Sequence, residues 1–133
     1  MRAIKTYIVE DSNVIRDSLI AALEELTAIT VVGVAEDEIT AVQWLTDASN
    51  AADLVIVDIF LKMGSGLGVL RALNRVVPPR NMVVLSNHAT PEMRRKCMEL
   101  GARQVFDKST ELDALMIYCD HLAMGEAGDG ARA

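Results

Sequence analysis

The sequence predicts an α/β fold with a doubly wound, five-stranded parallel sheet of strand order 2-1-3-4-5. Strand-like and helix-like segments alternate five times along the 133 residues, a length typical of one domain with one core. Residues 54–57 and 82–85 are apolar on both strand faces, which is typical of parallel strands covered by helices on both sides. Right-handed crossovers between such strands give the doubly wound arrangement.

The individual elements follow from residue type and spacing. The strand-like segments are short and rich in β-branched and other apolar residues. They lie at residues 4–9, 30–35, 53–58, 81–86 and 103–107. The helix-like segments repeat apolar residues at intervals of three and four. They lie at residues 13–26, 37–48, 65–76, 90–101 and 110–122.

Capping signals mark several helix ends. The third helix is predicted to stop before Pro78, because the residue ahead of a proline disfavours helical geometry. The fourth begins with a hydroxyl cap at Thr90, a proline at position 91 and an acid, Glu92, near the positive end of the helix dipole. Gly101 is predicted to end that helix.

Composition narrows the function classes. A net charge of −6 argues against a surface that coats nucleic acid, and no apolar run reaches the ~18 residues of a membrane span. Cys97 and Cys119 lie in helical patterns without a metal-ligand partner, so we expect two buried cysteines and a cytoplasmic protein. Residues 1–124 form the predicted domain, and the Gly/Ala-rich residues 125–133 are expected to be disordered.

Polar side chains stand at the carboxyl ends of four strand-like segments. They are Glu10 and Asp11, Asp58, Ser86, and Asp107 with Lys108. In the predicted strand order these ends meet at one edge of the sheet, where such folds bind ligands. Crowded carboxylates need a cation, and Mg²⁺ takes one or two carboxylates plus waters and phosphate oxygens. The set predicts Mg²⁺-dependent phosphoryl chemistry with Asp58 as nucleophile. Asp107 is interpreted as a surface or capping acid.

With these residues the chain resembles a response-regulator receiver domain, a flavodoxin-like fold, over residues 4–124. The resemblance rests on the acidic pair, on Asp58 followed by Leu61 and Gly66, and on Ser86 and Lys108 at later strand ends. It implies that Asp58 accepts a phosphoryl group, with Mg²⁺, from a sensor histidine kinase or phosphotransfer protein.

The resemblance also implies roles for the neighbouring residues. Asp11 would bind the metal directly, Glu10 through a second layer or a water, and Phe60 through its backbone carbonyl, while Ser86 and Lys108 would contact the phosphoryl group. The expected protein is not an enzyme beyond its own phosphorylation and dephosphorylation. Its downstream target would be a protein on the face of the fourth helix, fifth strand and fifth helix. Direct contact with nucleic acid or membrane is not expected, and a homodimer is left open.

The chain departs from the common form of the family near the site. Lys62 replaces a proline, which would change loop stiffness, and Ser109 replaces the proline after the conserved lysine, which argues against a cis peptide there. Asn87 stands where a small residue is usual, so access to the phosphoryl group would be narrower. Phe60, Asn87 and His88 are the residues expected to tune hydrolysis.

The switch residues also differ. Family members commonly carry an aromatic residue three places before the lysine, which turns inward when the strand-4 hydroxyl moves. Here that place holds Val105, and Phe106 follows. Either Phe106 substitutes in a switch with Ser86, or the aromatic switch is lost.

Other functions remain open on sequence alone. A haloacid-dehalogenase phosphatase would need an acid where Phe60 stands, and a dinucleotide fingerprint would need a glycine at Val69. A pseudo-receiver that acts without phosphorylation would keep only the fold. The chain could also be the receiver fragment of a longer DNA-binding regulator, although the polar tail ending at Ala133 favours a stand-alone receiver.

Overall fold

The computed structural model describes residues 2–77, 79–87 and 89–125. The strands are β1 (Ile4–Val9), β2 (Ile29–Ala35), β3 (Leu54–Val57), β4 (Met82–Ser86) and β5 (Gln104–Asp107). The helices are α1 (Asn13–Leu26), α2 (Glu38–Thr46), α3 (Gly66–Leu73), α4 (Pro91–Glu99) and α5 (Leu112–Ala123). All the strand pairs are parallel, in the order β2-β1-β3-β4-β5. The predicted fold and strand order are confirmed.

Helix starts are displaced from the predicted bounds by capping. Asp37 lies outside α2 and accepts a hydrogen bond from the Thr40 amide at 2.7 Å. Ser65 lies outside α3 and accepts one from the Leu67 amide at 3.1 Å. A capping residue is itself extended, so predictions that begin a helix at the cap start one residue early. The predicted last turns of both helices, beyond Thr46 and Leu73, are not helical.

The sheet separates two apolar clusters. One lies under α2, α3 and α4 and includes Val55, Val57 and Leu70. The other lies under α1 and α5 and includes Ile56 and Leu115. Because successive side chains of a strand point to opposite faces, β3 contributes to both clusters and is buried throughout.

Tyr7 connects the first two strands with α2. Its ring stacks on Trp44 with the ring centroids 4.3 Å apart, and its hydroxyl donates a hydrogen bond to the Val34 carbonyl at 3.2 Å. A Cβ at Gly33 would lie 2.8 Å from this ring, so glycine leaves the space that Tyr7 occupies. Trp44 therefore belongs to the edge of the core.

The structure also bears on the cysteines, on membrane-spanning helices and on the C-terminal tail. Cys97 and Cys119 are free and buried, as predicted. Within the described ranges, no helix is both long and apolar enough to cross a membrane. The tail predicted for residues 125–133 lies, from residue 126 onward, outside the described residues.

Candidate functional site

Three carboxylates meet at the carboxyl edge of the sheet. β1 leads into Glu10 and Asp11, and β3 leads into Asp58. One oxygen from each carboxylate lies within 4.8 Å of the others. Glu10 is 3% exposed and Asp58 is 7% exposed, whereas Asp11 is half-buried. The adjacency of β1 and β3 in the sheet brings these side chains together, as the strand order predicts.

The carboxylate of Asp58 accepts hydrogen bonds on both oxygens. Oδ1 accepts from the Ser86 hydroxyl at 3.0 Å and from the Phe60 amide at 3.2 Å. Oδ2 accepts from the Lys108 ammonium at 2.8 Å. A buried carboxylate is costly unless it is paired and hydrogen-bonded. These three donors meet that requirement and keep two oxygen atoms at the open edge of the sheet.

Lys108 is shared between two buried carboxylates. Its ammonium donates to Glu10 as well as to Asp58, and its side chain is 11% exposed. Burial alone would lower the pKa of Lys108, but the hydrogen bonds to Asp58 and Glu10 raise it above its usual value. Burial raises the pKa of Glu10, and hydrogen bonds from Lys108 and the Ser12 amide oppose that rise.

The charges of the site do not cancel. With all groups ionised, Glu10, Asp11 and Asp58 face one ammonium, which leaves a formal charge of −2. Oxygen ligands at this density attract hard divalent cations, because a cation relieves the mutual repulsion of the carboxylates. The site is therefore a candidate metal centre.

Lys62 contributes through its backbone. Its amide donates to Asp11 Oδ2 at 2.6 Å. A proline at this position would have no N–H to donate. The presence of Lys62 in place of proline is expected to alter loop stiffness. It also ties the loop after β3 to Asp11, one of the candidate metal ligands.

The backbone of Asp58 leaves no room for a side chain at Gly66, eight residues further along the chain. A Cβ at this position would lie 2.1 Å from the Asp58 carbonyl oxygen. The Gly66 amide donates to the Ile59 carbonyl at 2.9 Å, which folds the start of α3 against the end of β3. Any side chain at this position would force the backbone of Asp58 to move.

Two of the residues expected to tune hydrolysis, Phe60 and Asn87, border the site. The Phe60 side chain is 57% exposed, and Asn87 is exposed directly after Ser86. Asn87 and Lys108 line a cavity of about 330 Å³ between α1 and α5 whose other walls are mostly apolar. His88 lies outside the described residues.

Asp107 caps the turn that carries Lys108. Its carboxylate accepts from the Ser109 hydroxyl at 2.6 Å, the Ser109 amide at 2.8 Å and the Ala89 amide at 3.4 Å. The two hydrogen bonds from Ser109 are the main reason that its pKa is lowered to about 2. Asp107 therefore holds the β5–α5 turn, as its interpretation as a capping acid requires.

The two switch candidates lie on opposite faces of β5. Val105 and Phe106 are each 6% exposed, but Val105 packs in the α2–α4 cluster and Phe106 in the α1–α5 cluster. Phe106 makes an edge contact with Tyr118, with centroids 5.9 Å apart. Ser86 follows Val84 of the α2–α4 cluster by two residues, so it shares a face with Val105 and not with Phe106.

An arginine network beside Val105 was missed by sequence reasoning. Arg94 donates to the Ala89 carbonyl at 2.9 Å, the Val105 carbonyl at 2.9 Å and the Glu111 carboxylate at 2.6 Å. Glu111 also accepts from the Asp107 amide at 2.9 Å. In the sequence, Arg94 reads as a solvated residue of a polar helix face, and only the fold shows that it joins three segments.

Comparison with known proteins places this site in a family. The model of the response regulator receiver domain matches residues 6–120. The chain is 32% identical over 116 residues to protein-glutamate methylesterase/protein-glutamine glutaminase 5 of Myxococcus xanthus, covering 86% of this chain and 33% of that protein. It is 29% identical over 105 residues to response regulator UvrY of Escherichia coli, covering 79% of this chain and 47% of that protein. The chain thus spans a third to about half of the length of these relatives.

A solved structure shows the same fold. The response regulator domain of CheB from Thermotoga maritima superposes with a TM-score of 0.77 at 20% identity, covering 93% of this chain and 98% of that one. The match over residues 6–120 takes in Asp11, Asp58, Ser86 and Lys108. This chain belongs to the response regulator receiver domain family, whose members act in two-component signalling.

Proposed function

We propose that this receiver domain accepts a phosphoryl group on Asp58 from a sensor histidine kinase or a phosphotransfer protein, in a Mg²⁺-dependent reaction. The observation that carries the proposal is the surroundings of Asp58. Its buried carboxylate meets an ammonium, a hydroxyl and a backbone amide, with two further carboxylates beside it. The cytoplasm is the proposed location.

The carboxylate set fits Mg²⁺. The ion prefers oxygen ligands and neutralises a site whose formal charge is −2. We assign Asp11 and Asp58 as direct ligands, together with the Phe60 carbonyl that the family resemblance implies. Glu10 already accepts hydrogen bonds from Lys108 and the Ser12 amide, which suits an indirect role. When bound, Mg²⁺ would neutralise charge on phosphoryl oxygens.

The phosphoryl transfer needs little covalent chemistry from the protein. An oxygen of Asp58 forms a bond to phosphorus while the bond from phosphorus to the donor histidine nitrogen breaks, and the imidazole keeps that electron pair. Lys108 and Ser86, which now donate to Asp58, are close enough to donate to the transferred oxygens. Phe60, Asn87 and His88 are proposed to govern access of water during hydrolysis.

The output is proposed to pass through Ser86 and Lys108. Phosphorylation adds about −1.5 to −2 charges and new acceptor oxygens, which would draw both side chains inward. Residues 87–90 follow Ser86, and Ala89 is bound both to Asp107 and to Arg94. A shift of this segment would change the face formed by α4, β5 and α5, where a downstream protein would bind. With Val105 in the aromatic position, this route does not use an aromatic switch.

The whole protein's partners are also proposals. We favour a protein target over direct nucleic-acid binding, because the chain carries a net charge of −6. A homodimer through the α4–β5–α5 face is the second arrangement to examine. Either arrangement suits a stand-alone receiver or the receiver part of a longer regulator.

Intact mass after incubation with acetyl phosphate tests the acceptor. Wild type should gain one phosphoryl adduct with Mg²⁺ and none in a metal-free sample, and Asp58→Asn should gain none. Asp53→Asn is a matched control, because Asp53 lies at the opposite end of β3 and should leave the adduct unchanged. An unmodified wild type that also fails to bind Mg²⁺ would favour the pseudo-receiver.

A further inference from the structure

Glu38, the first residue of α2, holds the loop that follows Asp58. Its carboxylate accepts a hydrogen bond from the Ser65 amide at 2.9 Å, and its own amide donates to the Met63 carbonyl at 3.2 Å. The two contacts are made to residues 25 and more positions away in the chain, across the space between α2 and α3. Glu38 thus fixes the far end of the loop over residues 60–65.

Two glycines make room for the Glu38 side chain. A Cβ at Gly68 would lie 2.2 Å from Glu38 Oε2, and a Cβ at Gly64 would lie 2.5 Å from the Glu38 Cβ. Gly64 also has a φ of +84°, which favours glycine by itself. Gly68 has no such backbone requirement, and at this helical position the Glu38 carboxylate occupies the space that a Cβ would take.

The loop connects the Glu38 contacts to the backbone amides that contact Asp58 and Asp11. Ser65 pairs with Phe60 in an antiparallel bridge, and the Phe60 amide donates to Asp58 Oδ1 at 3.2 Å. In the same loop, the Lys62 amide donates to Asp11 Oδ2 at 2.6 Å. Because Lys62 lacks the ring that fixes φ in proline, the loop has to gain its rigidity from contacts.

We propose that Glu38 is a positioning residue for the phosphoacceptor site. By holding Met63 and Ser65, it fixes the loop whose Phe60 and Lys62 amides orient the carboxylates of Asp58 and Asp11. The role rests on the proposed function, because orienting these carboxylates matters through the Mg²⁺ that they would bind. Loss of the Glu38 contacts weakens Mg²⁺ binding without removing any metal ligand.

Four variants and one control separate this role from general destabilisation. Glu38→Ala removes the acceptor for the Ser65 amide, whereas Glu38→Gln keeps an amide oxygen in its place. Gly68→Ala displaces the carboxylate, and in the double variant with Glu38→Ala that clash is gone. Glu92→Ala is the matched control, since Glu92 is an exposed acid in the first turn of α4.

Mg²⁺ titration of each full-length variant gives the main readout. Glu38→Ala and Gly68→Ala should raise the Mg²⁺ dissociation constant about tenfold, the lower end of the range for residues that support metal ligands. Glu38→Gln should recover most of the wild-type affinity, and Glu92→Ala should match wild type. The double variant should be no weaker than Glu38→Ala alone, because both changes act through one contact.

Hydrogen exchange without metal gives an independent readout. In Glu38→Ala the Phe60 and Ser65 amides should exchange faster than in wild type, while amides in the centre of β4 should not. Wild-type affinity and wild-type exchange in Glu38→Ala would overturn the inference. A wild-type protein that binds no Mg²⁺ would overturn the proposed function and this role with it, and the wild-type titration alone identifies that case.

Discussion

At the scale of single residues, Lys108 is the cation that compensates two buried carboxylates of the site. Its ammonium lies between Glu10 and Asp58, whose side chains are 4% and 9% exposed. Three buried or nearly buried charges are stable together only because each carboxylate has a cationic donor. The raised pKa of Lys108 shows that these contacts outweigh the burial of the ammonium.

Removing that ammonium should therefore destabilise the protein in the absence of metal. Lys108→Met would leave two buried carboxylates without a cation, and we expect a loss of about 3 kcal/mol in the free energy of unfolding. Urea denaturation in a chelator measures it. Added Mg²⁺ should return part of the loss, because a ligand that binds only the folded state stabilises it.

Lys62→Met provides the control for Lys108→Met. The Lys62 side chain is exposed and only its backbone contacts Asp11, so its loss should change stability little. Equal stability of Lys108→Met and Lys62→Met would contradict the view that Lys108 compensates the buried carboxylates.

The raised pKa of Tyr7 predicts that the folded state loses stability at alkaline pH. Burial, with a further contribution from the charge of Asp37, raises its pKa from 10.0 to about 12. The folded state therefore favours the neutral phenol, and this contribution is complete below pH 10 and lost as the pH rises through 12. The stability difference between wild type and Tyr7→Phe should shrink over that window, measured by denaturation at several pH values. A difference that stays constant would contradict the raised pKa.

The residues of the site were the most predictable part of the molecule. Asp11, Asp58, Ser86 and Lys108 each follow a strand-like segment, so their convergence needed only the strand order. The hydrogen bonds between them required side-chain directions that a sequence pattern does not contain. Asp107 was interpreted as a surface or capping acid, and the hydrogen bonds that it accepts from Ser109 agree with the capping role.

At the scale of elements, Arg94 adds polar contacts between α4 and its neighbours. This residue joins the β4–α4 loop, β5 and the start of α5 through Ala89, Val105 and Glu111. The arrangement stands beside the position where the family commonly carries an aromatic residue. The element that is proposed to report phosphorylation thus combines these polar contacts with apolar packing through Cys97 and Met93.

The ion pair within this network should be modest and sensitive to salt. The Arg94 and Glu111 side chains are 36% and 35% exposed, so we expect a coupling of about 0.5–1 kcal/mol in a double-mutant cycle with Arg94→Gln and Glu111→Gln. Screening in 1 M salt should reduce it, since the Debye length falls to about 3 Å. Absence of coupling at low salt would show that Arg94 acts through the backbone carbonyls alone.

Contacts between elements explain what sequence reasoning missed. Glu38 and Ser65 are 27 residues apart, and Arg94 and Glu111 are 17 apart. Neither pair falls on one periodic face, and each depends on how two helices approach each other. Helix bounds were predicted to within a few residues. The starts of α2 and α3 were missed by one residue because Asp37 and Ser65 act as caps, and the ends of both helices were placed too late.

At the scale of the whole molecule, the fold follows from a small number of local patterns. β3 and β4 are buried on both faces, which requires helices on each side of the sheet and a parallel arrangement. The strand order places β1 and β3 side by side, so Glu10 and Asp11 must lie near Asp58. The strand order alone therefore brings the site residues to one edge of the sheet, and individual contacts then orient them.

The same topology places the proposed acceptor, Asp58, and the proposed output face on connected segments. Ser86 ends β4 and Lys108 follows β5, and the Lys108 amide donates to the Ser86 carbonyl at 3.1 Å. A change at Asp58 would therefore reach both segments at once. This shared attachment would be the physical basis for the proposed population shift of the α4–β5–α5 face.

The most direct test of the central claim is to locate the phosphoryl group by peptide mass spectrometry after incubation with acetyl phosphate. We expect a single phosphorylated residue, Asp58, in samples that contain Mg²⁺, and no modified peptide when a chelator replaces the metal. A phosphoryl group on another carboxylate, or equal modification of Asp58 with and without Mg²⁺, would contradict it.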